Sequence, residues 1–193
     1  MLASLASSKG SSTSAQELPP PVSVAAQLSK DLGGKNRVAL VEVNVNNVGL
    51  LRQLNKILFP VEYKDGFYQD VVQSGRLSRY IYLNDVCVGA VCCKRALLPK
   101  LLGSGEGLYL MTLGVLQPYR RLGLGSLLLE HVLKHVSPKY PSLSQVFLHV
   151  QEGNEEALEF YKSHGFIDFG LEKDYYLNVS PSNAHILAKS LSS

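Results

Sequence analysis

The stretch Tyr119-Arg120-Arg121-Leu122-Gly123-Leu124-Gly125 has the residue types and the order of an anion cradle. An apolar, strand-like run over 108–116 leads into it, and an amphipathic helical run over 124–136 leads out. A basic glycine turn in that position aims unpaired backbone N–H groups and the positive end of a helix dipole at one spot. Gly123 and Gly125 let the backbone approach a phosphate and adopt φ > 0 without a Cβ clash. The chemistry this pattern serves is the holding of a pyrophosphate-bearing cofactor. Two further residues could move protons: Tyr109 and His149, each set singly in a strand-like apolar run. Taken alone, they read first as part-buried core residues and second as a proton-transfer pair.

Two common phosphate folds do not fit. A dinucleotide-binding unit places its glycine turn early in a βαβ unit and an acid about twenty residues on. Here hairpin strands precede the turn, and at that distance the segment 138–144 carries no acid. A Walker loop needs Lys-Ser or Lys-Thr after its glycines, and neither follows Gly125.

The elements around the turn follow from periodicity. Val38, Leu40 and residues 42–45 suggest a first strand. Asn46 or Asn47 is placed to cap a helix whose Val48, Leu51, Leu54 and Leu58 recur at helical spacing. Pro60 stops it, and Phe59 is pushed out of the α region. Asp65 is placed to cap a second helix carrying Phe67 and Val71, closed by Gly75. Runs over 77–83 and 86–93 read as strands joined by Asn84-Asp85, residues that tolerate φ > 0. Residues 95–107 read as a loop. In the run 108–116, alternation puts Tyr109, Met111, Leu113 and Val115 on one face. The helix after the glycines turns Leu124, Leu127, Leu128, Val132 and Val136 inward. Pro138 and Pro141 mark a connection, 144–151 a strand in which His149 shares a face with Phe147 and Gln151, and Asn154 caps a helix ended by Gly165. Late strands are expected over 166–169, 174–179 and 184–190. The whole is a mixed α/β sheet.

With 193 residues the chain can bury one core, and its 46% hydrophobic content fits a globular protein. A net charge of +3 suits a phosphate-rich ligand but is far from that of a dedicated nucleic-acid binder. Cys87, Cys92 and Cys93 share one strand-like run without metal spacing, so we expect reduced, packed thiols and no metal site. Neighbouring residues on a strand face opposite ways, which leaves Cys92 and Cys93 poorly placed to pair. No apolar stretch is long enough to span a bilayer. Residues 1–35 are Ser-rich, carry Pro19-Pro20-Pro21 and contain little periodic apolar pattern, which reads as a disordered tail before a single domain over 36–193. A transit peptide is the sharper alternative, but arginine is absent before Arg37 and Glu17 interrupts the segment.

Arg120-Arg121-Leu122-Gly123-Leu124-Gly125 resembles the R/Q-x-x-G-x-G/A acetyl-CoA signature of the GNAT acetyltransferase superfamily. The resemblance is closer still to the catalytic subunits of NatE-type N-terminal acetyltransferases. It is carried by Phe59-Pro60-Val61-x-Tyr63, by Tyr109-Leu110-Met111-Thr112-Leu113-Gly114, by Pro118-Tyr119-Arg120-Arg121 and by Phe147-Leu148-His149-Val150. Asn154-Glu155-x-Ala157-x-x-Phe160-Tyr161-x-x-x-Gly165-Phe166 and Tyr175-Tyr176 extend it, so that it covers about residues 37–190. The resemblance implies a GNAT fold: an α/β, mixed, mostly antiparallel twisted sheet flanked by helices.

It also implies roles. Tyr109 and His149 would order a water that takes the proton of the attacking amine. Acetyl-CoA would be the co-substrate, held by Leu113, Gly114, Val115, Arg120, Arg121, Leu122, Gly123, Leu124, Gly125, Asn154 and Tyr161. A backbone N–H near Leu113, Gly114 or Val115 would polarise the thioester carbonyl, and Tyr161 would lie near the coenzyme A sulfur. Phe59, Pro60, Val61, Tyr63, Met111, Tyr175 and Tyr176 would hold the peptide, with a slot for an initial Met followed by an apolar residue. Lysine ε-amines are a second substrate class that the resemblance implies. The expected partners are protein N-termini, a second acetyltransferase subunit and its helical scaffold at the ribosome, with cytoplasmic and nuclear residence. Two rival readings are a small-molecule amine acetyltransferase on the same fold and a non-catalytic acetyl-CoA-binding subunit. The Phe59–Tyr63 corner and Tyr175-Tyr176 argue against the first, and the presence of both Tyr109 and His149 argues against the second.

Overall fold

The computed structural model describes residues 36–177 and 179–191. The expected tail over 1–35 lies outside the described residues. From Val38 the chain runs β1 (Val38–Glu42), α1 (Val48–Leu58), α2 (Asp65–Gln73), β2 (Arg79–Leu83), β3 (Val86–Leu97) and β4 (Glu106–Val115). Then come α3 (Leu124–His131), β5 (Gln145–Gln151), α4 (Glu155–Ser163), β6 (Ile167–Glu172) and β7 (Ala184–Ser190). The strands form one sheet in the order β1-β2-β3-β4-β5-β7-β6. Every neighbouring pair is antiparallel except β4 and β5, which are parallel.

Each face of the sheet buries its own apolar cluster. One cluster takes Leu124, Leu127, Leu128 and Val132 from α3 and the turn after it, with Leu158 and Tyr161 from α4. The other takes Leu51 and Leu54 from α1, and Phe67, Tyr68 and Val71 from α2. The helical spacing of these residues is what lets one stripe of each helix meet the sheet. Past His131 the helix widens into a π-type turn over Val132–Val136. Cys92 and Cys93 are unpaired thiols, both buried, one in each cluster.

The Asn84-Asp85 turn forms as the residue types require, with φ of 49° and 69°. Gly165 likewise closes α4 at φ 80°, and Phe59 is extended ahead of Pro60. Other expectations are corrected. The first strand stops at Glu42, because Asn44 and Asn47 fold the chain into a turn: the Asn47 amide donates to the Glu42 carbonyl and its Oδ1 accepts from the Asn44 N–H. Asn47 therefore stands at the N-cap of α1, as expected, but its side chain makes no capping bond to the helix. Asp65 is the first residue of α2 rather than its cap, which is Lys64. Residues 77–78 belong to a short 3-10 turn and its exit, so β2 begins only at Arg79. The expected loop over 95–107 is strand at both ends, because β3 runs on to Leu97 and pairs with Glu106, and only residues 98–105 lie outside the ladder. No described residue between Asp174 and Val179 is in a strand. Tyr176 is instead tied by its N–H to the Ser182 carbonyl at 2.8 Å.

The correction that matters most lies in β4. Against β3, Thr112 pairs with Cys92 but Leu110 pairs with Cys93, so Met111 is an extra residue, a bulge. A bulge slips the alternation by one and bends its strand. Tyr109 and Met111 lie in the α1–α2 cluster, whereas Leu113 and Val115 lie with Leu108 and Leu110 in the α3–α4 cluster. Tyr109 thus does not share a face with Leu113 and Val115.

Candidate active site

Beyond the bulge, β4 leaves its parallel neighbour. The ladder to β5 holds only at Leu108–Val146 and Tyr109–Phe147, and the two strands then part toward their C-terminal ends. Past that ladder, Gly125 in the first turn of α3 lies close to Leu113 of β4 and Phe160 of α4. Tyr109 stands on the last shared rung, and His149 lies two residues further along β5.

Their rings meet edge to face with centroids 5.6 Å apart. Phe147 stacks on Tyr109 at 4.9 Å. Tyr175 lies flat against His149, 4.0 Å away at 9°, and its hydroxyl shares a 2.8 Å hydrogen bond with the Tyr109 hydroxyl. On the far side His149 Nε2 lies 3.0 Å from Glu172 Oε2. His149 Nδ1 is buried and has no partner among the described residues. Tyr109 and His149 are each 6% exposed.

Burial sets the protonation of both groups. It lifts the Tyr109 phenol well above its ordinary range, and the neighbouring Tyr175, Tyr176 and Tyr63 add to the effect. It pushes the His149 imidazole below its usual range, against the opposing hydrogen bond and charge of Glu172. At neutral pH the pair is therefore a protonated phenol and a neutral imidazole. Of the two, the imidazole can accept a proton, and the phenol can donate or relay a hydrogen bond.

The aromatic corner packs beside them. Phe59 and Tyr63 are buried edge to face at 6.0 Å, and Tyr63 continues to Phe67 at 4.3 Å. Pro60 is exposed, and Val61 is half-buried. A Cβ on Gly114 would lie 2.9 Å from Leu58 Cδ1 and 3.0 Å from Phe59 Cζ, so its missing side chain lets this corner lie on β4. Met111, Tyr109, Tyr175 and Tyr176 belong to the same cluster.

The glycine turn fits a phosphate-bearing ligand. Gly123 is the N-cap of α3 at φ 76°, makes no side-chain capping bond, and is followed by no acid in the first turn. The first N–H groups of α3 are thus left to an outside acceptor. Arg121 is held at φ 64°, and both it and Leu122 are exposed. Arg120 is fixed from behind: its Nε donates to the Val115 carbonyl at 3.1 Å, and its Nη1 lies 3.8 Å from Glu156 Oε2. The Leu124 side chain is core, so only its backbone can face the cradle. A Cβ on Gly125 would sit in ordinary contact with Phe160. Asn154 Oδ1 caps α4 by accepting from the Ala157 N–H at 3.2 Å. Tyr161 is fully buried, and its phenol is raised well above the usual range by burial.

The structure therefore gathers Tyr109, His149, Tyr175, Tyr176, Met111 and the Phe59–Tyr63 corner on one face, with Gly125 of the cradle close to Leu113 of β4. Tyr161 and the Leu113 and Val115 side chains belong to the opposite face. Glu172 was missed by sequence reasoning, since no local pattern links it to a residue two strands away.

Comparisons with known proteins bear on this arrangement. The profile of the acetyltransferase (GNAT) family matches residues 48–166. N-alpha-acetyltransferase 50 of Danio rerio is 43% identical over 159 residues, 82% of this chain and 92% of that protein. A protein of Drosophila melanogaster described as a probable N-acetyltransferase, san, is 41% identical over 160 residues, 81% of this chain and 83% of the relative. The structure of Arabidopsis thaliana Naa50 in complex with the bisubstrate analogue CoA-Ac-MVNAL superposes with a TM-score of 0.71 at 40% identity. That match covers 79% of this chain and 98% of that one.

Proposed function

The chain belongs to the acetyltransferase (GNAT) family, and from that premise we propose that it moves acetyl from acetyl-CoA to the α-amine of polypeptides, with preference for Met followed by an apolar residue. The observation that carries this reading is the pairing of Tyr109 with His149 beside the split between β4 and β5, their rings 5.6 Å apart. Acetyl-CoA supplies an activated thioester carbonyl. The chain's part is to bind its pyrophosphate, hold the amine and take a proton.

The α3 N-terminus, Arg121 and the Gly123 turn hold the pyrophosphate through backbone N–H groups and positive charge. The bulged end of β4, Leu113 to Val115, has no ladder partner on the β5 side, and an N–H there polarises the carbonyl. An α-amine has a pKa of about 8, so a neutral imidazole suffices to accept its proton, directly or through one water. Tyr109 keeps its proton and orients that water. A lysine ε-amine, with a pKa of about 10, costs more to deprotonate and is the slower substrate.

The peptide lies against Phe59, Pro60, Val61 and Tyr63, with Met111 below and Tyr175 and Tyr176 above. A flexible, polarizable Met side chain suits an apolar slot with aromatic walls. The Arabidopsis analogue carries a peptide that begins Met-Val, which supports the same preference here. Assays with Met-Leu and Ser-Ser peptides test the reading: Met-Leu should be favoured by at least about tenfold in kcat/KM. Equal turnover of the two, or none with Met-Leu, overturns the preference. Assembly with a second acetyltransferase subunit and a helical scaffold, and residence in cytoplasm and nucleus, are further proposals of the family resemblance. Co-purification from the native source checks the first.

A further inference from the structure

The buried imidazole of His149 has one nitrogen bound and one unbound. Nε2 lies 3.0 Å from the Glu172 carboxylate, while Nδ1 meets nothing among the described residues. A carboxylate can only accept, so the hydrogen on a neutral His149 must sit on Nε2, and Nδ1 carries the lone pair. The contact is a consequence of the fold. Glu172 ends β6, across from Ala184 of β7, and His149 of β5 pairs with Ile186 of the same β7. The two side chains meet over β7 where it presents the methyl of Ala184. Tyr175 stacked on the ring prevents it from turning away.

We propose that Glu172 is a positioning residue that fixes the tautomer of His149 and so makes Nδ1 the base. This rests on the reading of His149 as the proton acceptor. One proton passes from the substrate ammonium to Nδ1. The C–N bond then forms as the thioester C–S bond breaks, the thiolate takes the second nitrogen proton, and Nδ1 returns its own to solvent. The imidazolium present in between is stabilised by the Glu172 carboxylate, as an acid behind a histidine does elsewhere. Among the described residues, the other titratable groups around the ring are the phenols of Tyr109 on β4, which burial keeps protonated, and of Tyr175, while β7 offers Ile186 opposite it. Glu172 is half-exposed, so its influence is moderate.

The test uses Glu172→Gln, Glu172→Ala and His149→Ala in the full chain, with coenzyme A affinity by calorimetry as the check on folding. Both Glu172 variants should keep that affinity and lose about tenfold in kcat. The acid limb of kcat/KM should also move down by roughly half a pH unit to one unit, because the imidazole loses the charge that raises its pKa. A purely structural role would leave that limb in place. In the unaltered protein, ¹⁵N spectra should show His149 Nδ1 unprotonated and Nε2 protonated. If His149→Ala collapses turnover while both Glu172 variants keep kcat and the acid limb, the positioning role is wrong and the base survives. Protonated Nδ1 in a neutral His149 overturns it equally. If His149→Ala turns over normally, the base itself fails.

Discussion

Two buried histidines separate chemistry from packing. His149 lies between Tyr175, Tyr109 and Glu172, and its neutral form suits proton acceptance. His149→Ala should lower kcat by about a hundredfold while coenzyme A affinity, read by calorimetry, stays nearly intact. His131 lies on the opposite side of the molecule's chemistry. It is 6% exposed, and neither ring nitrogen has a partner among the described residues. Burial, then Arg79 and His135, push its pKa down to about 4. In the unfolded chain it titrates near 6.5, so the unfolded state binds a proton that the folded state refuses. Stability should therefore fall as pH drops from about 6.5 to about 4, by up to about 3 kcal/mol, and level off below that. His149, depressed in the same sense, adds to the loss. Thermal melts across that window check the sign: His131→Leu should flatten the curve, and a curve unchanged by the substitution would show the histidine to be uninvolved. Tyr109 and His149 were legible in the sequence as single polar residues in apolar strands. Glu172 was not, because its nearness to His149 depends on the order β5-β7-β6.

At the scale of elements, local chemistry was readable wherever a residue type dictates a backbone state. Asn84-Asp85, Pro60, Gly165 and the Asn154 cap all formed as expected. The bulge at Met111 was not readable, since no glycine or other turn residue in the run Leu108 to Leu113 marks an extra residue. That one residue decides the site: it turns Leu113 and Val115 to the other face, and it ends the β4–β5 ladder after Tyr109. Two glycines test the two arms of the site. Gly123→Ala forces a Cβ into the left-handed region at φ 76°, at about 1–2 kcal/mol of stability. It should raise KM for acetyl-CoA by about tenfold or more with little change in KM for peptide. Gly114→Ala drives a Cβ to within 3.0 Å of Phe59 Cζ. The corner must shift by a few tenths of an ångström, so peptide KM should rise more than coenzyme A affinity falls. Steady-state kinetics with each substrate varied in turn separates the two arms, and the opposite pattern would exchange the roles given to them.

The molecule as a whole sets how much chain the activity needs. The family profile begins at residue 48, but among the described residues burial begins earlier. Val38 is 6% exposed in β1, and Val43 is fully buried just after it. Ahead of Val38, the Arg37 N–H donates to Asn84 Oδ1 at 2.8 Å, and Asn36 Oδ1 accepts from the Asn84 amide at 2.7 Å. These contacts tie the start of β1 to the β2–β3 turn, so Asn36 and Arg37 take part in the fold. The mixed α/β class was legible because both helical and strand periods recur from there on. Residues 1–35 are Ser-rich and contain little periodic apolar pattern for a core to use. We therefore propose that a chain starting at Asn36 melts within about 2 °C of the full one and keeps kcat/KM within about twofold. A chain starting at Val43 loses β1 instead. It strips Val38 from the core at about 1.5–3 kcal/mol and leaves β2, which carries the buried Tyr80 and Ile81, as a new open edge. That second chain should melt several degrees lower, since 1 kcal/mol is worth about 2–4 °C at this size. If the chain starting at Asn36 is the one that loses stability or turnover, the tail takes part in the fold or the site, and the boundary drawn at residue 36 is wrong.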